Sequence, residues 1–443
     1  MTRALAVLAL LLAPAAQAER PNVVIFLTDD LGWGDLGCYG HPVMKTPHLD
    51  AFAKESLRFL QGYSASAVCS PSRSAILTGR TPFRTGVYDW IPAGSEMHLR
   101  ASEIALPKLL KAAGYATCHV GKWHLNGKFN SPEQPQPNDH GYDWWMATQN
   151  NAAPSHKNPT NFARNGKAVG PLEGFSAPLV AREAVEWLST RRDKSKPFFL
   201  AVWTHEPHLP IESDPEHMAP YASIPDENTR QHHGNVTQLD HAFGMVLKAL
   251  DEQGVARKTM VVFTSDNGPE GDGTKGRTRG STGGLRGRKR AVYEGGIRVP
   301  FIVRWPGKIK PGTSEEPVVG SDLFPTVLAA AGLEVPRDRA IDGASLMPAF
   351  EGRPVERKIP MYWRCVIAPG PMKAAMRQGD WKLVAAPDLS KLELYDLKSD
   401  PKEASDLAQK EPERLKAMAE TIARLQKEFE AEAPVWPKRG EKK

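Results

Sequence analysis

The sequence predicts an α/β protein: a large, mainly parallel sheet sandwiched by helices, followed by a small C-terminal α+β domain with an antiparallel sheet. Three observations predict it. Short apolar runs rich in β-branched residues alternate with segments of helical apolar spacing. Polar residues recur just beyond the ends of those runs, where open α/β sheets place their ligands. Past residue 360 the pattern changes to short strand-like stretches separated by turns, closed by one charged amphipathic segment.

Taken in order, residues 1–18 read as a cleaved signal peptide. Met1-Thr2-Arg3 is a basic start, Ala4 to Pro14 is apolar, and Ala16-Gln17-Ala18 is a small-x-small cleavage site. The apolar run is short for a bilayer span, so a periplasmic or secreted protein without stable membrane insertion is expected. Val23-Val24-Ile25-Phe26-Leu27 reads as a buried strand with Asp29 and Asp30 at its carboxyl end. His48 to Phe59 has helical spacing through Leu49, Phe52, Ala53 and Leu57. Ile104 to Ala113 reads as a helix ended by Gly114, and Tyr115 to Val120 as a strand leading into Gly121-Lys122-Trp123-His124. A helix over Leu179 to Leu188 precedes a strand over Phe198 to Trp203, which ends at Thr204-His205. A helix over Val236 to Leu250 precedes a strand over Met260 to Thr264, which ends at Ser265-Asp266-Asn267-Gly268. The large domain is thus expected over 19–360. In the small domain, 361–443, strands are expected at Lys373 to Met376, Trp381 to Val384 and Leu392 to Leu397. Pro412 to Glu430 reads as a helix, with a frayed tail from Pro437.

Composition narrows the function classes. Of 443 residues, 41% are hydrophobic and 24% charged, which suits an ordinary core and argues against disorder or a coiled coil. The net charge of +6 helps an anionic substrate approach but is too weak to indicate nucleic acid. The cysteines, Cys38, Cys69, Cys118 and Cys365, form no C-x-x-C pair, so a zinc or thioredoxin-like site has no support.

The sharpest chemical signal is Cys69-Ser70-Pro71-Ser72-Arg73, continuing to Thr78-Gly79-Arg80. Ser70 suits a helix N-cap and Pro71 the first helical position, so Cys69 would sit at the positive end of a helix. A buried Cys before an ordinary helix, or a thiolate activated by the helix end, would fit that much. Neither accounts for Arg73, one turn along on the same side.

C-x-P-S-R followed by T-G-R resembles the signature of the type I, formylglycine-dependent sulfatases. The resemblance extends from Pro21 to about Asp400 and implies an alkaline phosphatase-like fold. It implies that Cys69 is oxidised to formylglycine by a formylglycine-generating or equivalent maturation enzyme. It implies metal ligands at Asp29, Asp30, Cys69, Asp266 and Asn267. Three carboxylates, an amide oxygen and the formylglycine oxygen suit a hard cation, calcium first and magnesium second. Sulfate-binding cations are implied at Arg73, Lys122 and Lys289, and histidine roles at His124 and His205. Around Lys289 this chain departs from the pattern, with Arg288 and Arg290 where small residues are more usual. The implied reaction is hydrolysis of sulfate esters through a formylglycine-sulfate intermediate. His205 would act as acid toward the departing oxygen and His124 as base for the elimination that frees sulfate.

The family match makes the Gly-, Arg- and Lys-rich stretch from Gly273 to Arg290 an active-site loop rather than a nucleic-acid segment. The polar stretch from Asn126 to Phe175 reads as a surface excursion carrying a substrate rim, with Asn150, Asn151, His156 and Arg164 as its candidates. Amides and aromatic faces suit sugars, so a sulfated carbohydrate is expected, with aryl sulfates as artificial substrates. The rival readings are a phosphoester hydrolase on the same fold and an inactive carbohydrate-binding relative.

Overall fold

The computed structural model describes residues 20–437. The signal peptide read at 1–18 and the tail beyond Pro437 lie outside the described residues. No described helix is long and apolar enough to cross a membrane. In chain order the strands are β1 (Asn22–Thr28), β2 (Leu57–Phe59), β3 (Gly62–Tyr63), β4 (Ala116–Lys122), β5 (Trp144–Thr148), β6 (Phe162–Arg164), β7 (Lys167–Val169) and β8 (Phe198–Trp203). They continue with β9 (Thr259–Ser265), β10 (Phe301–Arg304), β11 (Gly312–Ser314), β12 (Val318–Val319), β13 (Met361–Arg364), β14 (Ala374–Gln378), β15 (Trp381–Ala385) and β16 (Leu392–Asp396).

The main sheet has the order β11-β2-β10-β9-β1-β8-β4-β5-β6-β7. Its centre, β9-β1-β8-β4-β5, is entirely parallel. β10 runs antiparallel to β9 and β2, and β6 and β7 finish the far edge antiparallel. The expected parallel sheet is therefore the centre of a mixed one. Val23, Ile25 and Leu27 of β1 pack into a core on one face, Val24 and Phe26 into a core on the other. A strand covered on both faces needs apolar residues at every position, which is why the run is continuous.

Three expectations are corrected. The helix expected over 48–59 is Pro47–Lys54, and its last residues leave it as β2. Leu57 and Phe59 are buried on either side of a more exposed Arg58, a two-residue period that completed a helical pattern by coincidence. Residues 126–175 are not a surface excursion, because they supply β5, β6 and β7, and Trp145 lies in the core. Ser70 does not cap its helix; the helix Cys69–Thr78 begins two residues earlier than expected, with Val68 at the N-cap.

The four-stranded antiparallel sheet β13-β14-β15-β16 carries the helix Pro412–Glu432. Met418, Ile422, Leu425 and Phe429 of that helix pack with Leu383 and Leu394. Among the contacts that tie this unit to the rest, three bear on the site. Lys382 on β15 is fully buried and bonds Glu294 at 2.9 Å and Glu403 at 2.8 Å. Glu432 pairs with Arg80 and Arg84 just past the Cys69 helix. Beyond the helix, Trp436 donates its indole N–H to the carbonyl of Gly86 at 2.7 Å.

Candidate active site

The site lies at the carboxyl ends of four adjacent strands, β9-β1-β8-β4. Thr28 of β1 sits opposite Ser265 of β9, so the next residues, Asp29 and Asp266, leave the sheet side by side. Asp29 N–H then bonds the carbonyl of Glu206 beyond β8, at 3.1 Å, and Asp266 N–H bonds that of Thr28, at 3.1 Å. Asp30 turns in the left-handed region at φ 65°, rare for a non-glycine residue and a mark of backbone held for a purpose. Lys122 ends β4, and His124 follows at φ 55°.

Cys69 opens the helix whose next turn carries Arg73. The Arg73 guanidinium is fully buried. It bonds Asp266 through Nε at 3.0 Å and Nη2 at 2.7 Å, and the Lys122 carbonyl through Nη1 at 3.0 Å. Gly79 caps the helix at φ 68°, and a side chain there would meet Phe324, which explains the glycine of Thr78-Gly79-Arg80. Arg80 itself bonds Glu103 at 2.9 Å, anchoring the segment. Ser70 Oγ accepts the N–H of Ile91 at 3.1 Å, drawing the segment around Trp90 over Cys69.

The five residues implied as metal ligands converge. Ligand atoms of Asp29, Cys69 and Asp266 all lie within 4.8 Å of one another, and so do those of Asp29, Asp30 and His208. Asn267 Nδ2 bonds Asp30 Oδ1 at 2.6 Å. Asp29 Oδ1 and Asn267 Oδ1 are buried without a hydrogen-bond partner. Orphaned oxygens among crowded carboxylates are what a hard cation would satisfy, and the donors present fit one.

Around them the charges interlock. Lys122 Nζ meets Asp29 at 2.5 Å, and Lys289 Nζ meets Asp30 at 2.8 Å and Glu270 at 3.2 Å. Burial pushes the Asp29 carboxyl up, but Lys122, His208 and Arg73 outweigh it and hold the group well below the usual carboxylate range. Burial, reinforced by Asp29 and Glu270, leaves Asp30 well above that range despite Lys289. Burial and Asp29 push Asp266 up to about 6 against Arg73. Burial also raises the Cys69 thiol despite Lys122 and Lys289, so the helix end does not leave a free thiolate.

A cavity of about 380 Å³ opens above Cys69. His124, Asn150, Asn151 and Lys289 line it as the sequence led one to expect. Other expected residues stand elsewhere. Arg73 and Lys122 are fully buried and are not among its lining residues, being turned to Asp266 and Asp29. His205 is fully buried off the cavity, its Nε2 on Thr148 Oγ1 at 2.8 Å and its ring against Phe162. His208, three residues on, lines the cavity instead, with Nε2 3.6 Å from Asp30 and 3.5 Å from Glu270. His156 is no rim residue: it is fully buried, with Nδ1 near Asn235 at 3.1 Å and Glu206 at 3.8 Å. Arg164 is drawn away by Glu183, at 2.5 Å. Sequence reasoning missed His208, Glu270 and Trp90, all on the cavity wall. The available signal for His208 was a second histidine in the segment following β8. Of the basic run, only Lys289 turns to the carboxylate cluster at Asp30; Arg288 bonds the carbonyls of Glu270 and Gly280, and Arg290 bonds Glu270 at 2.9 Å.

An α/β sheet with an anion-ready, oxygen-rich, lysine-flanked centre at its carboxyl edge defines a hydrolase of anionic esters. The chain belongs to the sulfatase family: the Sulfatase model matches residues 21–333, and the model described as N-sulphoglucosamine sulphohydrolase, C-terminal, matches 287–432. It is a sulfuric ester hydrolase. It is 36% identical over 383 residues to N-acetylgalactosamine-6-sulfatase of Rattus norvegicus, covering 80% of this chain and 70% of that one. It is 36% identical over 366 residues to arylsulfatase A of Homo sapiens, covering 77% and 70%. The solved structure of Ps i-CgsB superposes with a TM-score of 0.82 at 27% identity, covering 92% of this chain and 93% of that one.

Proposed function

We propose that this sulfatase hydrolyses sulfate esters of a carbohydrate, with Cys69 converted to formylglycine by a maturation enzyme and calcium held beside it. Magnesium is the second choice of ion. The observation that carries the reading is Cys69 Sγ within 4.8 Å of both the Asp29 and Asp266 carboxylates, at a cavity that Lys289 lines. The thiol marks where the oxygens of a hydrated formylglycine would lie. Two relatives support the carbohydrate. One is named N-acetylgalactosamine-6-sulfatase, and Ps i-CgsB has been solved in complex with k-i-k-neocarrahexaose. The leader sequence supports a periplasmic or secreted protein, with residues 19–360 as the catalytic domain and 361–443 as the smaller one.

Asp29, Asp30, Asp266 and Asn267 would hold the ion with the oxygen of residue 69. Bound there, a divalent cation offsets the carboxylate crowding and lowers the pKa of a hydroxyl it touches. The hydrated aldehyde supplies a second hydroxyl, so the residue can be regenerated by an elimination that serine cannot undergo. Lys289 binds the sulfate at the cavity wall, while the buried Lys122 and Arg73 add positive charge and orient Asp29 and Asp266. His208 Nδ1 faces the Leu209 carbonyl, which can only accept, so that nitrogen carries the hydrogen and Nε2 is the proton-exchanging atom. Burial and Lys289 hold the His208 imidazole low, at about 3, so Nε2 gives a proton only after taking one up beside the Asp30 and Glu270 carboxylates. In that form His208, rather than His205, would protonate the departing sugar oxygen from the cavity wall. His124 Nε2 likewise donates to the Ile91 carbonyl at 3.0 Å, which leaves a lone pair on Nδ1. That lone pair suits His124 to take the proton from the second hydroxyl of residue 69.

Protein co-expressed with a formylglycine-forming enzyme should release sulfate from sulfated sugars of defined linkage. The Cys69-bearing peptide should carry the aldehyde mass. Faster release of phosphate from matched phosphate esters, or normal turnover by Cys69→Ala, would overturn the reading.

A further inference from the structure

Trp90 is one of three large apolar side chains left exposed among the described residues, at 42%. The other tryptophans are buried or half-buried. An indole in water forgoes a large apolar burial, so its position calls for a partner that arrives later. That position is the wall of the cavity above Cys69.

The support beneath Trp90 is rigid. Ile91, next in the chain, is fully buried. Its N–H bonds Ser70 Oγ at 3.1 Å, and its carbonyl accepts from Gln149 Nε2 at 3.0 Å and from His124 Nε2 at 3.0 Å. On the other side, Tyr88 stacks on Phe83 with ring centroids 5.3 Å apart, and Trp436 holds the Gly86 carbonyl. The backbone that carries the indole is thus held relative to both Cys69 and His124, so a ligand need order little more than the side chain. The same cavity is lined by Asn150 and Asn151, whose side-chain oxygens are buried without a hydrogen-bond partner in the protein.

One aromatic face together with unpartnered amides matches a ring that is itself two-sided. A pyranose has an apolar C–H face and an edge of hydroxyl groups. A wholly apolar sulfate ester would leave both amides unpaired, and the site would discriminate against it.

We propose that Trp90 is the specificity-determining platform on which the sulfate-bearing pyranose stacks, its hydroxyl edge turned to Asn150 and Asn151. This rests on the carbohydrate reading above. The test compares wild type, Trp90→Ala and Trp90→Phe on the sulfated sugar that wild type turns over best, with inorganic sulfate as a competitive inhibitor. Inorganic sulfate fills the lysine-lined seat but cannot reach the platform. Trp90→Ala should raise KM for the sugar by about tenfold, the loss expected for an aromatic contact, with kcat falling far less. Trp90→Phe should recover most of the loss, and Ki for sulfate should stay near that of wild type in both variants. An unchanged KM in Trp90→Ala overturns the proposal. So does a rise in the sulfate Ki that tracks KM, because the lesion would then be a distorted site. Wild type that cleaves aryl sulfates but no sulfated sugar overturns the carbohydrate reading itself, and that result is visible before any variant is made.

Discussion

At the scale of single residues, the site separates cations that touch the substrate from cations that hold the site together. Lys289 lines the cavity, whereas Arg73 has neither exposure nor a place on its wall. Lys289→Ala should therefore lower kcat/KM by at least about tenfold on aryl and sugar sulfates alike, as a lost charge-assisted contact of about 1.5–3 kcal/mol implies. Thermal stability should fall as well, because the ammonium is buried and its loss leaves the Asp30 carboxylate without its lysine partner, so rates are compared at a temperature where both proteins are folded. Parallel kinetics on both substrate types with a melting curve check this. Residue identities at strand ends were legible because β1, β4 and β9 each deliver their polar residues directly into the site. The histidine beyond β8 was not, because chain direction there is set by packing. Phe162 and Thr148 claim His205, and only His208 comes round to the cavity. His156 and Arg164 were misread for the same reason: each has a buried acid, Glu206 or Glu183, that claims it.

At the scale of elements, helices are fastened to one another by buried carboxylates as much as by apolar stripes. Asp240 of the helix Glu227–Glu252 accepts the N–H groups of His48 and Leu49 at 3.1 and 2.7 Å, capping the helix Pro47–Lys54 from outside. Burial raises its carboxyl from 3.8 to about 7, with the two N–H groups only partly opposing. The folded state then binds a proton that the unfolded state releases, so this group's contribution is full below the unfolded value and is lost as pH rises toward 7. Wild type should lose stability relative to Asp240→Asn between about pH 5 and about pH 8, since ∂ΔG/∂pH is negative where the native state holds more protons. Urea midpoints at the two pH values measure it; a constant difference would refute the assignment. Such a cap links residues far apart in sequence, so neither helix reveals it. Strand and helix existence was legible from period. The end of the helix after Thr46 was not, because pairing of Leu57–Phe59 with β10 decided it.

At the scale of the whole molecule, the small sheet is a structural arm of the active site. Glu294 lies a few residues past Lys289, and Lys382 on β15 holds it together with Glu403. Lys382→Met would leave Glu403 buried without its cation and Glu294 with only Arg298 at 3.4 Å and the Tyr63 hydroxyl, and should destabilise the protein by about 3–5 kcal/mol in chemical denaturation. If a divalent ion is resident among Asp29, Asp30, Asp266 and Asn267, chelation should lower the melting temperature as well as activity. Added calcium should restore both, because a ligand of the native state stabilises by mass action. A melting temperature indifferent to chelator and calcium would count against the site. The two-part architecture was legible from the change of pattern near residue 360. The ionic clamp was not, since Lys382 sits in an ordinary-looking strand and shows its role only where the sheets meet.

The segment after the helix Pro412–Glu432 has a consequence for limited proteolysis. Val435 is 95% exposed, while Trp436 beside it bonds the Gly86 carbonyl and Pro434 packs where a Gly86 side chain would go. A nick at Val435 would remove almost no core, and the protein would stay folded. It would nonetheless release Trp436 from the loop that carries Trp90. A trimmed enzyme of nearly full mass would then handle its natural substrate as though its mouth had been mutated, while its cleft floor remained intact.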